Sequence, residues 1–138
     1  MAQLNPYLNF NGQAEAAFQF YQSVLGGELR IQKMSDIPGQ EGLTEEEQNY
    51  VLHAALPYGD NILMASDCLE SRGHHLVAGN NNYISLTPDS RAEADRIFNG
   101  LSAGGTIEMP MADMFWGDYF GSFKDKFGVQ WMINYSNQ

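Results

Sequence analysis

His53 is the side chain in this sequence with the most direct use in proton chemistry. It sits inside the strand-like run Tyr50 to Leu56, and an unperturbed imidazole titrates close to neutral pH. A hydrogen-bonded structural role competes with that use. Asp67 follows a second strand-like run, Ile62 to Ser66. There it is a candidate base, or a cap that satisfies backbone N–H groups. His74 and His75 are adjacent, so on a strand they point to opposite faces and in a loop both are solvated. Cys68 has only Arg72 as a basic neighbour in sequence, which gives little support for a reactive thiolate. The catalytic residues therefore stay unknown, with His53 and Asp67 as the candidates.

A second group of residues suits binding rather than bond-making. Strand alternation turns Asn5, Tyr7, Asn9, Met64, Ser66, Tyr83, Ser85, Thr87, Gln130, Met132 and Asn134 away from the helices. That lining holds amides, hydroxyls, aromatics and thioethers, with no carboxylate and no imidazole. It fits a neutral or amphipathic organic ligand, stacked and oriented by a few hydrogen bonds. Packing against a partner module or subunit is the competing reading. Trp116, beside Phe115 and before Gly117, is a further candidate ligand contact or an interface residue.

Several chemistries are excluded by what is missing. There is no Gly-x-Ser-x-Gly elbow, no Walker loop, no Gly-x-Gly-x-x-Gly, no Cys-x-x-Cys and no His-Glu-x-x-His. A net charge of −10 argues against nucleic acid, which needs clustered Lys and Arg. No run approaches the roughly 18–20 apolar residues that cross a bilayer. The first residues lack the basic region and apolar run of a signal peptide, and the single cysteine allows no internal disulfide. The expected compartment is the cytoplasm.

The elements that position these residues occur twice. Pro6 to Phe10 alternates as a strand, and Ala14, Ala17, Phe18, Tyr21, Val24 and Leu25 form one helix face, with Asn11 as its expected cap. Gly26-Gly27 ends that helix and Glu28 to Met34 reads as a strand. The pattern returns about 75–80 residues later as Asn82 to Thr87, a helix over Ser90 to Ser102, Gly104-Gly105 and strands over Thr106 to Met111, Phe115 to Phe123 and Val129 to Tyr135. Ser90 and Glu93 make a capping-box pattern. Between the copies lie a polar connection, Ser35 to Asn49, in which Glu45-Glu46-Glu47 reads as a solvated face, the hairpin signal Tyr58-Gly59-Asp60-Asn61, and a crossover, Asp67 to Asn81. The order is βαβββ–βαβββ: an α+β fold in one domain over residues 1–138, with module 1 at about 1–67 and module 2 at about 82–138.

Asn5-Pro6-Tyr7-Leu8-Asn9-Phe10, Phe20-Tyr21-Gln22-Ser23-Val24-Leu25-Gly26-Gly27, Met114-Phe115-Trp116-Gly117 and Asp125 to Asn134 carry a resemblance that spans nearly the whole chain. In them the sequence resembles the vicinal oxygen chelate superfamily of glyoxalases, bleomycin-resistance proteins and extradiol dioxygenases, and within it the PhnB-like, 3-demethylubiquinone methyltransferase-like branch. The resemblance implies paired βαβββ modules forming cup-shaped mixed sheets with one main helix on each, in a homodimer. It also implies four metal ligands, on the first and last strand of each module. Laid on this chain, those places fall at Asn5, Met64, Tyr83 and Met132, within two residues, and none is His, Asp or Glu. Such residues do not suit a divalent cofactor. Phe10-Asn11-Gly12-Gln13 is likewise not the glycine-rich loop of a Rossmann-type methyltransferase.

The leading expectation is a small organic ligand held in a cup by Asn5, Tyr7, Asn9, Met64, Tyr83, Ser85, Trp116, Met132 and Asn134, with no metal and no cofactor. One alternative is a metal-dependent lyase, isomerase or dioxygenase with an unorthodox ligand set that draws on His53 or Asp67. Others are sequestration of a cationic antibiotic by an acidic cup, and a cup that closes against a partner protein. Nucleic acid and membrane are not expected partners.

Overall fold

The computed structural model describes residues 2–39 and 41–137; Met1, Gln40 and Gln138 lie outside them. The chain divides into two units, Met1–Val77 and Ala78–Gln138. In the first, strand β1 (Tyr7–Phe10) leads into helix α1 (Ala14–Leu25), followed by β2 (Arg30–Lys33), β3 (Val51–Tyr58) and β4 (Asn61–Asp67). The sheet order is β1-β4-β3-β2, with β1 parallel to β4 and the other pairs antiparallel. The second unit repeats this with β5 (Ile84–Leu86), α2 (Arg91–Ser102), β6 (Thr106–Asp113), β7 (Asp118–Lys124) and β8 (Gln130–Ser136), ordered β5-β8-β7-β6 with β5 parallel to β8. Each unit is thus a four-stranded mixed sheet carrying one α-helix, the α+β arrangement expected from the repeat.

Each helix is held by its apolar stripe. Ala14, Ala17, Phe18 and Tyr21 of α1 are buried, and Phe18 meets Phe10 edge-on. In α2 the buried residues are Ala94, Ile97, Phe98, Leu101 and Ser102, with Phe98 edge-on to Phe123 at 5.1 Å between centroids. Gly121 makes that packing possible, since a Cβ there would stand 2.8 Å from the Phe98 ring. Arg91, at the start of α2, donates two hydrogen bonds to the Asp113 carboxylate and stacks on Tyr119. The Tyr119 hydroxyl in turn donates to Asp95.

Several boundaries differ from those the sequence predicts. The strand expected over Glu28 to Met34 ends at Lys33, where the register slips and Met34–Asp36 forms a 3-10 turn. Phe115 and Trp116 are not in a strand; they are the centre of the β6–β7 turn, closed by Gly117 N–H donating to the Met114 carbonyl, with Gly117 at φ 103°. Asn11 does not cap α1, whose cap position is Gln13 and has no capping side chain. At α2 the Ser90 hydroxyl accepts the Glu93 N–H, while the Glu93 carboxylate pairs with Arg96.

Three buried carboxylates hold the loops. Asp67, only 4% exposed, accepts the N–H groups of Gly12 and Ala14 on one oxygen (2.9 and 3.0 Å) and that of Val51 on the other (2.8 Å). It therefore supplies from the end of β4 the cap that α1 lacks locally. Asp125 accepts the N–H groups of Phe127 and Val129 and the Trp131 indole N–H, fixing the β7–β8 turn in which Gly128 has φ 90°. Glu47 is buried rather than part of a solvated acidic face. It exchanges hydrogen bonds with Thr44 and accepts the Ser71 N–H, so it ties the 3-10 turn Glu47–Asn49 to the one at Glu70–Arg72.

Two outcomes follow from these carboxylates. Asp67→Asn replaces one acceptor oxygen by an NH2 group that faces a backbone N–H, and is expected to lower unfolding stability by about 2 kcal/mol, read from the urea midpoint. Glu47 titrates below the ordinary carboxylate value, first because of the Ser71 hydroxyl and then the Thr44 N–H. Its contribution is complete above the unfolded value and is lost as pH falls through the lower folded value. The stability of wild type should therefore decline more steeply than that of Glu47→Gln only below about pH 5. Parallel declines for the two proteins would contradict this assignment.

Candidate functional site

In a sheet, directly paired residues share a face. In the first unit Tyr7 pairs with Met64, Met64 with Ala55 and Ala55 with Arg30, while Asn9 pairs with Ser66 and His53 with Gln32. By strand alternation His53 lies on the same side of β3 as Ala55, and Ser66 on the same side of β4 as Met64. These residues form two rows on the face turned away from α1, because Phe10, Leu63, Ala65, Ala54 and Leu56 fill the other. Tyr7, Asn9 and Met64 are thus brought together as the sequence predicts.

His53 joins them, so the lining does contain an imidazole. The Tyr7 hydroxyl lies 3.5 Å from its Nδ1, and the ring centroids are 5.9 Å apart. Sequence reasoning left His53 out of the lining because Leu52-His53-Ala54-Ala55 has no clear alternation. The usable signal was its parity with Ala55 on a strand. Asn5 departs in the other direction. Its carboxamide oxygen accepts the Ile62 N–H at 3.0 Å and extends the β1–β4 contact, so that oxygen is committed to the fold. Asp67 stands on the helix side, its two oxygens occupied by backbone N–H groups, which is a structural placement.

In the second unit Ser85 pairs with Met132, Met132 with Ser122 and Ser122 with Met109, and Asn134 pairs with Phe120. Ser85, Met132 and Asn134 therefore share the face away from α2. Trp116 reaches the Asn134 end of this face from the β6–β7 turn, its ring tilted against Phe120 at 6.2 Å. Tyr83 lies just before β5, and its hydroxyl donates to Glu108 at 2.8 Å. That bond to a carboxylate raises the phenol's pKa above its ordinary value. Gln130 is buried, with its NH2 group bonded to the Asn82 carbonyl. Carboxylates also reach this lining: Asp118 accepts from the Asn134 side-chain NH2 at 3.0 Å, and Glu108 accepts from Tyr83. Both come from strands β6 and β7, which the sequence-based lining did not use.

The remaining thiol and imidazoles lie outside both faces. Cys68 is buried, and its Sγ is 3.5 Å from His74 Nε2. Burial first, then Asp67 and Glu70, push the thiol up and away from thiolate character. His75 stands 3.8 Å from Glu70 at the surface. Among the described residues no three His, Cys, Asp or Glu side chains cluster so as to hold a metal ion. At the four places where the resemblance puts ligands, the groups are an amide oxygen bonded to Ile62, a Tyr hydroxyl bonded to Glu108, and two thioethers. Such a donor set does not fit a hard or borderline divalent cation.

The sequence is 34% identical to Protein YjdN of Escherichia coli (strain K12), over 98% of this chain and 96% of that protein. It is 39% identical to the crystal structure of protein PA1353 from Pseudomonas aeruginosa, with a TM-score of 0.87 over 99% of this chain and 98% of that one. The PhnB protein from Bacillus cereus shares the fold, at 23% identity and a TM-score of 0.76 over 98% and 100% of the two chains. The model of the Glyoxalase/Bleomycin resistance protein/Dioxygenase superfamily matches residues 3–133, and this chain, with its two βαβββ units, belongs to that superfamily.

Proposed function

We propose that this protein binds a small organic molecule on the sheet faces turned away from α1 and α2, without a divalent metal. The observation that carries the reading is the make-up of those faces. Tyr7, Asn9, Met64, Ser66 and His53 in one unit, and Ser85, Met132, Asn134 and Trp116 in the other, are reachable from solvent to varying degrees. They offer stacking surface and a few polar atoms, the mixture that orients a ligand. Asn5 and Tyr83 contribute through the geometry they impose, since their polar atoms are bonded to Ile62 and Glu108.

The protein is proposed to do this as a homodimer in the cytoplasm. Phe115, 97% exposed, and the exposed Ile107 and Met109 of the edge strand β6 support an interface. No helix among the described residues is long and apolar enough to cross a membrane.

The test combines metal analysis with a ligand screen. Protein purified without chelators should carry far less than one Ni, Zn, Mn or Fe per chain, and EDTA should leave its Tm unchanged. A hit from a library of neutral and amphipathic molecules, added at about 100 times its Kd, should raise Tm by several degrees. Tyr7→Ala should weaken a hit on the first unit's face, and Met132→Ala a hit on the second unit's face. A hit indifferent to both substitutions would reject these faces as the site, and one metal ion per chain would reject the proposal and restore the metal-dependent enzyme.

A further inference from the structure

The chain carries 17 acidic side chains against seven Lys and Arg, yet the open face of the first sheet bears no carboxylate on any of its four strands. On it Gln32 of β2 pairs with His53 of β3, and Ser66 of β4 pairs with Asn9 of β1. The neighbouring row brings Tyr7 at one edge and Arg30 at the other. Every polar group here is able to donate a hydrogen bond: two carboxamides, two hydroxyls, an imidazole, and the Arg30 guanidinium, which stands 3.8 Å from the Glu28 carboxylate just before β2. Beyond the Glu28–Arg30 pair at the β2 edge, this face offers donors and no carboxylate, which disfavours cations around Tyr7 and His53 whatever the global charge does at long range.

The Tyr7–His53 contact adds direction to this surface. At 3.5 Å it stands at the outer limit of a hydrogen bond, so it costs little to replace. An oxygen anion seated between the phenol and the imidazole would receive two donors, one of them charge-assisted when His53 is protonated. From these observations we propose that the first unit's open face takes an oxyanion, a carboxylate or a phosphate group, of the bound molecule at Tyr7 and His53. The proposal rests on the ligand-binding reading above and names the chemical class that this face accepts.

The test uses the full-length protein at pH 7 and constant ionic strength, with the ring signals of His53 followed by NMR. Sodium acetate, inorganic phosphate and tetramethylammonium chloride are titrated separately. Either anion should shift the His53 signals saturably in the millimolar range, and the comparison of the two identifies whether carboxylate or phosphate is preferred. Tetramethylammonium should produce no saturable shift. Anion binding, followed through backbone amide shifts in β1 and β4, should weaken about tenfold in His53→Gln and by a few-fold in Tyr7→Phe. Unchanged amide spectra remote from the face would show that both variants are folded. Saturable binding of the cation, anion binding undiminished in His53→Gln, or no saturable response to either anion overturns the proposal. Neutral molecules that still bind at Tyr7 and Met64 in that event would leave the general ligand-binding reading standing.

Discussion

A helix that begins without a capping side chain leaves N–H groups needing partners, and in the first unit the partner arrives from the far end of β4. Asp67 lies 55 positions from Gly12 and 53 from Ala14, yet one of its oxygens serves both, while the other holds the start of β3 at Val51. The start of α1, the turn before it and two strands therefore meet on a single buried carboxylate. The open face depends on this arrangement. Asn9 precedes the Gly12 turn, and Ser66 precedes Asp67 itself, so their placement beside His53 follows from where that carboxylate is fixed.

The second unit repeats the topology but solves its loops differently. Ser90 caps α2 locally, and the buried carboxylate moves to the β7–β8 turn, where Asp125 gathers two backbone N–H groups and the Trp131 indole. The run Asp125 to Trp131 thereby acquires a physical meaning: acceptor, turn, glycine at positive φ, and buried ring. Gly105 is constrained by the same turn, since a Cβ there would stand 2.2 Å from the Lys124 carbonyl oxygen. Similar folds in the two halves thus rest on different polar anchors, and their open faces carry different charge.

Periodicity made the order of elements readable from sequence. The helix stripes, the Gly26-Gly27 stop and the alternation in β1 and β8 are local patterns, and the structure follows them closely. What local patterns hid was tertiary. Asn11 looked like the cap of α1 because nothing in its neighbourhood advertises Asp67. Glu47 looked solvated within Glu45-Glu46-Glu47, although Thr44 three residues before it formed the Thr-x-x-Glu capping pattern that the structure realises. Of the lining residues, Tyr7, Asn9, Met64, Ser85, Met132 and Asn134 were placed by parity alone. His53 was missed because two consecutive alanines blur the period of β3, and Asp118 and Glu108 because their strands were not counted as part of the lining.

The two tryptophans occupy opposite environments. Trp131 is 1% exposed and bonded to Asp125, whereas Trp116 is 48% exposed on the β6–β7 turn. The chain contains only these two, so its ultraviolet emission divides into a shielded component and a quencher-accessible one. Iodide or acrylamide will extinguish the Trp116 component first. The unmodified protein consequently carries an optical reporter at the turn, which registers what settles against Phe115 and Trp116 while the buried indole serves as an internal reference.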